Sequence, residues 1–121
     1  MAFQEWADGT GDPFSLLSND MAWTIIGSTR TAGTYNLDEF KALVEPFNQI
    51  IAQPLRPTKW KTFADADTVV IHFTAQTPLK TGELYTNEYA WFFKFRQSKV
   101  VNVRAFLDLP KFERALDGEK L

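Results

Sequence analysis

The sequence predicts an α+β domain in which helices cover one face of a strongly curved, mostly antiparallel sheet. Four strand-like runs follow one another after Pro57, at Lys59 to Ala64, Thr68 to Gln76, Glu83 to Arg96 and Lys99 to Leu107. The links between them are too short for a crossover, so neighbours pair antiparallel. Ahead of them lies a helix with one apolar side, and a helix of that kind needs a sheet or another helix to pack on.

Taken in order, Phe3 to Asp8 reads as the stub of a helix ended by Gly9 and Gly11. Asp12-Pro13 is an N-cap followed by proline at the first helical position, which starts a short helix through Phe14, Leu16 and Leu17. Met21 to Ile26 is strand-like, and a GSTRTAG loop follows. Asn36 with Glu39 three residues later forms a capping box for the longest helix. Its Phe40, Leu43, Val44, Phe47, Ile50 and Ile51 keep helical spacing, and Pro46 is expected to bend it. Asp65-Ala66-Asp67, Pro78 to Gly82 and Gln97-Ser98 separate the four strands. Asp108 and Pro110 announce a last helix, Leu109 to Leu116.

At 121 residues the chain is one domain, 1–121, able to bury roughly two thirds of the surface that its unfolded form exposes. Hydrophobic residues make up 45% of it, with eleven Phe and four Trp, so a packed core is expected rather than disorder. The net charge of −2 and the scattered Lys and Arg give no footprint for nucleic acid. With no Cys and one His, neither a disulfide nor a zinc centre is expected, and no cofactor is implied. No run is long and apolar enough to span a bilayer, and the N-terminus lacks a secretory pattern, so a cytoplasmic protein without a membrane partner is expected.

YTNEYAWFFKF, Tyr85 to Phe95, carries the strongest functional signal. Alternation puts Tyr85, Asn87, Tyr89, Trp91, Phe93 and Phe95 on one face of the strand. Aromatic rings with one amide among them suit a pocket that grips a small, mostly apolar organic ligand and orients it by one or two hydrogen bonds. The opposite face is also apolar. Val69, Ile71, Phe73 and Ala75 share one parity, as do Ala90 with Phe92 and Val100 with Phe106. Assigned to the outer face, these residues would form a patch larger than a monomer usually exposes, so a homodimer through the sheet is expected.

Four stretches, LLSNDMAWTIIGSTRTAGTYNLDEF, EPFNQIIAQPLRP, ELYTNEYAWFFKF and KVVNVRAFLDLPKFERAL, in this order and spacing, resemble the nuclear transport factor 2-like superfamily, in its SnoaL-like and ketosteroid-isomerase-related branch. The resemblance implies a cystatin-like cone, a curved sheet wrapped around helices with a deep apolar cavity, and commonly a dimer. It also implies a range of chemistries, since this fold hosts isomerases, cyclases, dehydratases and epoxide hydrolases as well as proteins without catalysis. The positions matching the steroid isomerases' catalytic groups hold Thr24 or Ile25, Trp91 and the Phe3-Gln4 region. Those matching the epoxide hydrolases' Asp-Arg-Asp set hold Thr74, His72 and Ala105. Neither set is present.

The resemblance turns His72 toward the cavity with Val70, Thr74 and Gln76. Histidine is the side-chain type that changes charge near neutral pH, so His72 is the candidate general base. Asn87 and Tyr89 are candidate donors to a ligand carbonyl or enolate oxygen, and Trp23, Phe40, Phe47, Thr74 and Trp91 are candidate lining. Asp108 reads as a helix cap. Two functions are expected on this basis. One is a cofactor-free isomerase, cyclase or lyase acting on a small hydrophobic carbonyl compound. The other is a non-catalytic ligand-binding or assembly module.

Overall fold

The computed structural model describes residues 13–121. The helix stub expected at Phe3 to Asp8 lies outside them. A 3-10 turn, Pro13–Leu16, leads into β1 (Leu17–Ile25), β2 (Gly33–Tyr35), α1 (Leu37–Ile50), β3 (Arg56–Asp65), β4 (Thr68–Pro78), β5 (Leu84–Arg96), β6 (Lys99–Leu107) and α2 (Leu109–Leu116). The fold is α+β, with one open sheet of order β2-β1-β6-β5-β4-β3. Its pairs are antiparallel except β1 with β6, which run parallel.

Both helices start as their sequences dictate. The Asn36 side chain accepts from the Glu39 N–H at 2.8 Å while the Glu39 carboxylate accepts from the Asn36 N–H at 2.9 Å, closing the capping box. Asp108 caps α2 by accepting from the Lys111 N–H at 3.3 Å. Pro46 sits inside α1, which continues through it. The short helix expected through Phe14, Leu16 and Leu17 is instead a single 3-10 turn, its expected Asp12 cap lying outside the described residues, and β1 begins at Leu17 rather than Met21. Leu17 pairs with Val100 across a register shift, so pairing with β6 extends the strand into residues whose local pattern reads as helical.

The core lies between the helices and the concave face of the sheet. Trp23 stacks on Phe40 of α1 with ring centroids 4.0 Å apart, and meets Trp91 edge-on at 5.4 Å. Phe73 stacks on Tyr89 at 4.8 Å. The inward face of β5 is the one expected: Tyr85, Asn87, Tyr89, Trp91 and Phe93 are buried.

The inward face of β4 is the opposite of the one expected. Pro78 stands across from Leu84, so Ile71 faces Trp91, Phe73 faces Tyr89 and Ala75 faces Asn87. Directly paired residues share a face. Ile71, Phe73 and Ala75 are therefore core, while His72 and Thr74 lie on the convex side with Ala90 and Glu88. Val100 is also inside, because a register shift after Lys94 brings Phe95 opposite it. The convex face keeps Ala90, Phe92 and Phe106 from the predicted apolar set, and Phe63 joins them through its pairing with Val70.

Two local features yield predictions. Gln97 and Ser98 both have positive φ, 51° and 67°, in the two-residue turn between Arg96 and Lys99. Neither is glycine, and the left-handed region costs such residues about 1–2 kcal/mol each. The double substitution Gln97→Asn, Ser98→Gly is expected to stabilise the fold by roughly 0.5–1 kcal/mol, read from the urea midpoint.

Glu113 of α2 is buried and ties down the β1–β2 loop. It accepts from the Thr31 N–H at 2.8 Å, the Thr31 hydroxyl at 2.6 Å and the Thr29 hydroxyl at 3.0 Å. Desolvation pushes its carboxyl up, but these hydrogen bonds and the nearby Arg30 outweigh that and hold it below its ordinary value. A carboxyl lowered in the folded state contributes stability above its unfolded value and loses it as the pH falls through the folded one. Glu113→Ala is therefore expected to lose about 1–3 kcal/mol at neutral pH, the usual cost of leaving buried donors without an acceptor. The difference from wild type should close in acid, measured by urea unfolding across a pH series.

Candidate functional site

The concave side of the sheet and α1 enclose a cavity of about 630 Å³. Trp23 and Ile25 of β1, Tyr89 and Trp91 of β5, and Ala105 and Leu107 of β6 form its sheet wall. Phe40, Leu43, Val44, Phe47 and Asn48 of α1 face them, and Phe14, the Ile51 to Leu55 segment, Leu109 and Phe112 complete the lining. The apolar stripe of α1 thus serves two purposes, packing against the sheet near Trp23 and walling the cavity farther along. Thr77, buried at the end of β4, donates its hydroxyl to the Gln53 carbonyl at 2.5 Å and so anchors the Ala52 to Leu55 segment.

Of the residues expected at the site, Trp23, Phe40, Phe47, Tyr89 and Trp91 line this cavity. His72 and Thr74 do not. They line a depression on the convex face, together with Thr86, Glu88, Phe106, Asp108 and Lys111, and Tyr89 and Leu107 border both it and the cavity. His72 Nε2 lies 2.6 Å from Glu88 Oε2, and both side chains are at least half exposed, 52% and 69%. The β4–β5 register that places Phe73 on the inward face places His72 on the opposite, convex face.

Asn87 is on the inward face as expected, but its amide is fully engaged. Its Oδ1 accepts from the Glu88 N–H at 2.8 Å and the Asp108 N–H at 3.0 Å. Its Nδ2 donates to the Asp108 carbonyl at 3.0 Å and to the Tyr85 hydroxyl at 2.8 Å. It joins β5 to the start of α2 and keeps no hydrogen-bonding capacity for a ligand.

Among the described residues Tyr89 carries the buried hydroxyl of the cavity wall, alongside the donor-only indole N–H groups of the buried Trp23 and Trp91. Asn48 and Gln53, also along the lining, are exposed. The Tyr89 hydroxyl is 2.9 Å from that of Tyr85. Burial pushes the Tyr85 phenol up to about 12, reinforced by Asp108 and opposed by the hydrogen bonds with Tyr89 and Asn87. Burial, with Tyr85 adding to it, pushes Tyr89 well above the ordinary range. Both phenols therefore hold their protons at neutral pH. Tyr85, absent from the sequence-derived site, shares the strand parity of Asn87 and Tyr89, and that shared parity is the signal that could have found it. Phe14, Leu55 and Phe112 had no such signal, since only the tertiary fold brings them to the cavity.

Among the described residues no three His, Asp or Glu side chains converge on a possible metal position, and no helix is long and apolar enough to cross a membrane.

No protein-family model matches the sequence, and no curated protein matches it either. Solved structures do match its fold. A nuclear transport factor 2-like protein of unknown function from Burkholderia pseudomallei superposes with a TM-score of 0.73 at 17% identity, covering 95% of this chain and 91% of that one. TerC, co-crystallised with polyporic acid, gives 0.70 at 16% identity over 96% and 92% of the two chains. A candidate polyketide cyclase from Xanthomonas campestris gives 0.71 at 13% identity over 95% and 90%. The fold of this chain is that of the nuclear transport factor 2-like superfamily.

Proposed function

We propose that this chain is a small-molecule-binding protein, cofactor-free and dimeric, whose ligand is a mostly apolar organic molecule held between α1 and the sheet. One observation carries the reading: an aromatic cavity of about 630 Å³ with a single buried hydroxyl on its described wall. Its size is within the usual range for ligand sites, and apolar walls with few polar groups are their usual composition. The ligand-bound relative TerC and the candidate polyketide cyclase support the same kind of occupant.

Binding is the core of the reading. An isomerase, cyclase or lyase reaction on a hydrophobic carbonyl compound is its catalytic form, and that form needs a base. Tyr89 is the titratable group that the described wall supplies, and it holds its proton. His72 stands on the opposite face of the sheet and is not among the residues lining the cavity, which favours the non-catalytic form. Mass spectrometry of the protein extracted under denaturing conditions is expected to release a co-purified apolar compound. Titration with that compound should quench the fluorescence of Trp23 and Trp91, and His72→Gln should leave its affinity within about twofold of wild type. A tenfold loss in His72→Gln, or no binding of any extracted compound, would overturn the reading.

The dimer is proposed through the convex face. Phe92 and Phe106 pack edge-on at 5.7 Å and are 37% and 40% exposed, and Phe63 beside Val70 is 57% exposed. Glu88, Arg104 and Lys61 surround them with charges of both signs, and His72 adds a polar ring. An apolar centre with a polar rim is the anatomy of a protein interface.

A further inference from the structure

Hydrogen-bond bookkeeping at the cavity wall gives the ligand's polar group a definite sense. The orientation of the Asn87 amide is set, because its Oδ1 faces the Glu88 and Asp108 N–H groups. Its Nδ2 must then donate to the Tyr85 oxygen. Tyr85 is fully buried, with 0% exposure, and its own proton must reach an acceptor. The acceptor within reach among the described residues is the Tyr89 oxygen, 2.9 Å away. If Tyr89 instead donated to Tyr85, the Tyr85 proton would be stranded in the interior, at the full desolvation cost of an unmade hydrogen bond. So Tyr85 donates and Tyr89 accepts. The Tyr89 proton is then left over, on a 6% exposed side chain that forms part of the cavity wall.

On the reading that the cavity binds an apolar molecule, we infer that Asn87, Tyr85 and Tyr89 form a one-way donor chain ending in the cavity, which selects ligands carrying an acceptor oxygen, a ketone, quinone or enolate-type oxygen, at the Tyr89 hydroxyl. Each donor polarises the next, so the terminal O–H is a better donor than an isolated phenol. Burial keeps both phenols protonated, so the chain does not reverse its sense by ionising at neutral pH. The neighbouring wall side chains Trp91 and Leu107 give a hydroxylated ligand no acceptor for its own proton, since an indole N–H only donates and a leucine does neither. A carbonyl needs none.

The test uses two rigid tricyclic probes of nearly the same shape, 9-fluorenone with a carbonyl and fluorene without one, by equilibrium dialysis against wild type, Tyr89→Phe and Tyr85→Phe. Relative to wild type, Tyr89→Phe should lower the ratio of fluorenone to fluorene affinity by roughly 5- to 10-fold, the worth of about one hydrogen bond. Fluorene affinity itself should stay within about twofold. The carbonyl stretch of bound fluorenone should lie lower in wild type than in Tyr89→Phe. Tyr85→Phe should leave the affinity ratio unchanged or lower it, and this arm stands alone should Tyr89→Phe fail to fold. An unchanged ratio and carbonyl stretch in Tyr89→Phe would overturn the inference while leaving the cavity reading intact. A rise in the ratio in Tyr85→Phe would overturn it as well, since that is the signature of a chain running the other way. Failure of wild type to bind either probe would remove the cavity reading and the donor chain with it.

Discussion

Trp91→Ala is expected to destabilise the protein by about 3–5 kcal/mol, the range for truncating a packed aromatic in a core. The ring is 5% exposed and touches five others, Phe73 at 4.6 Å, Trp23 at 5.4 Å, Phe93 at 5.7 Å, and Phe14 and Tyr89 at 5.9 Å. Its loss leaves Phe73 and Trp23 facing a void continuous with the cavity, and α1, pinned to Trp23 through Phe40, can close that void only in part. The fall should appear as a lower urea midpoint with an unchanged slope. A loss below about 1 kcal/mol would show that Trp91 is held loosely and belongs to the ligand rather than to the core.

Phe92→Asp is expected to convert the proposed dimer to a monomer while leaving the fold intact. Phe92 stands at the centre of the convex face, paired with Val70 on one side and Arg104 on the other. Within the single chain it is already 37% exposed, so the substitution removes little intrachain packing. Across an interface of about 1,200–2,000 Å², the usual size for a specific contact, it would place a carboxylate where an aromatic anchor had been. Burying that charge unpaired costs several kcal/mol, which raises the dissociation constant by at least about 100-fold. Sedimentation velocity across a concentration series measures it. A wild-type chain that sediments as a monomer throughout, or a Phe92→Asp variant that stays dimeric, would refute the assignment of this face.

The local signals in the sequence were sufficient for both helix starts and for one face of the longest strand. Asn36, Glu39 and Asp108 act through hydrogen bonds to backbone groups three residues away, and such bonds are decided by neighbours in the chain. The face carrying Tyr85, Tyr89, Trp91 and Phe93 was also readable, because those rings outweigh Thr86, Glu88 and Lys94. The five cavity residues Trp23, Phe40, Phe47, Tyr89 and Trp91 came from that pattern and from the family resemblance.

The phase of one strand against the next was not readable. In β4 both faces carry apolar residues, Val70 on one and Ile71, Phe73 and Ala75 on the other, so alternation alone leaves two solutions. The β4–β5 hairpin chooses between them by setting Pro78 opposite Leu84, and a one-residue difference there exchanges every side chain between core and solvent. That single register moved His72 from the cavity to the convex face. The β1–β6 pairing recruited Leu17 and the shift beside Phe95 turned Val100 inward, both by contacts between residues far apart in the chain. Likewise, composition placed an amide and two phenols on one face, but the position of Asp108 in space, against Asn87, decided that the amide is consumed internally. Patterns within an element are written in the chain because their partners are neighbours along it. Register, bulges and the partners of buried polar groups are set only when distant segments meet, and in this protein those meetings leave the Tyr89 hydroxyl as the buried hydroxyl on the described wall of the cavity.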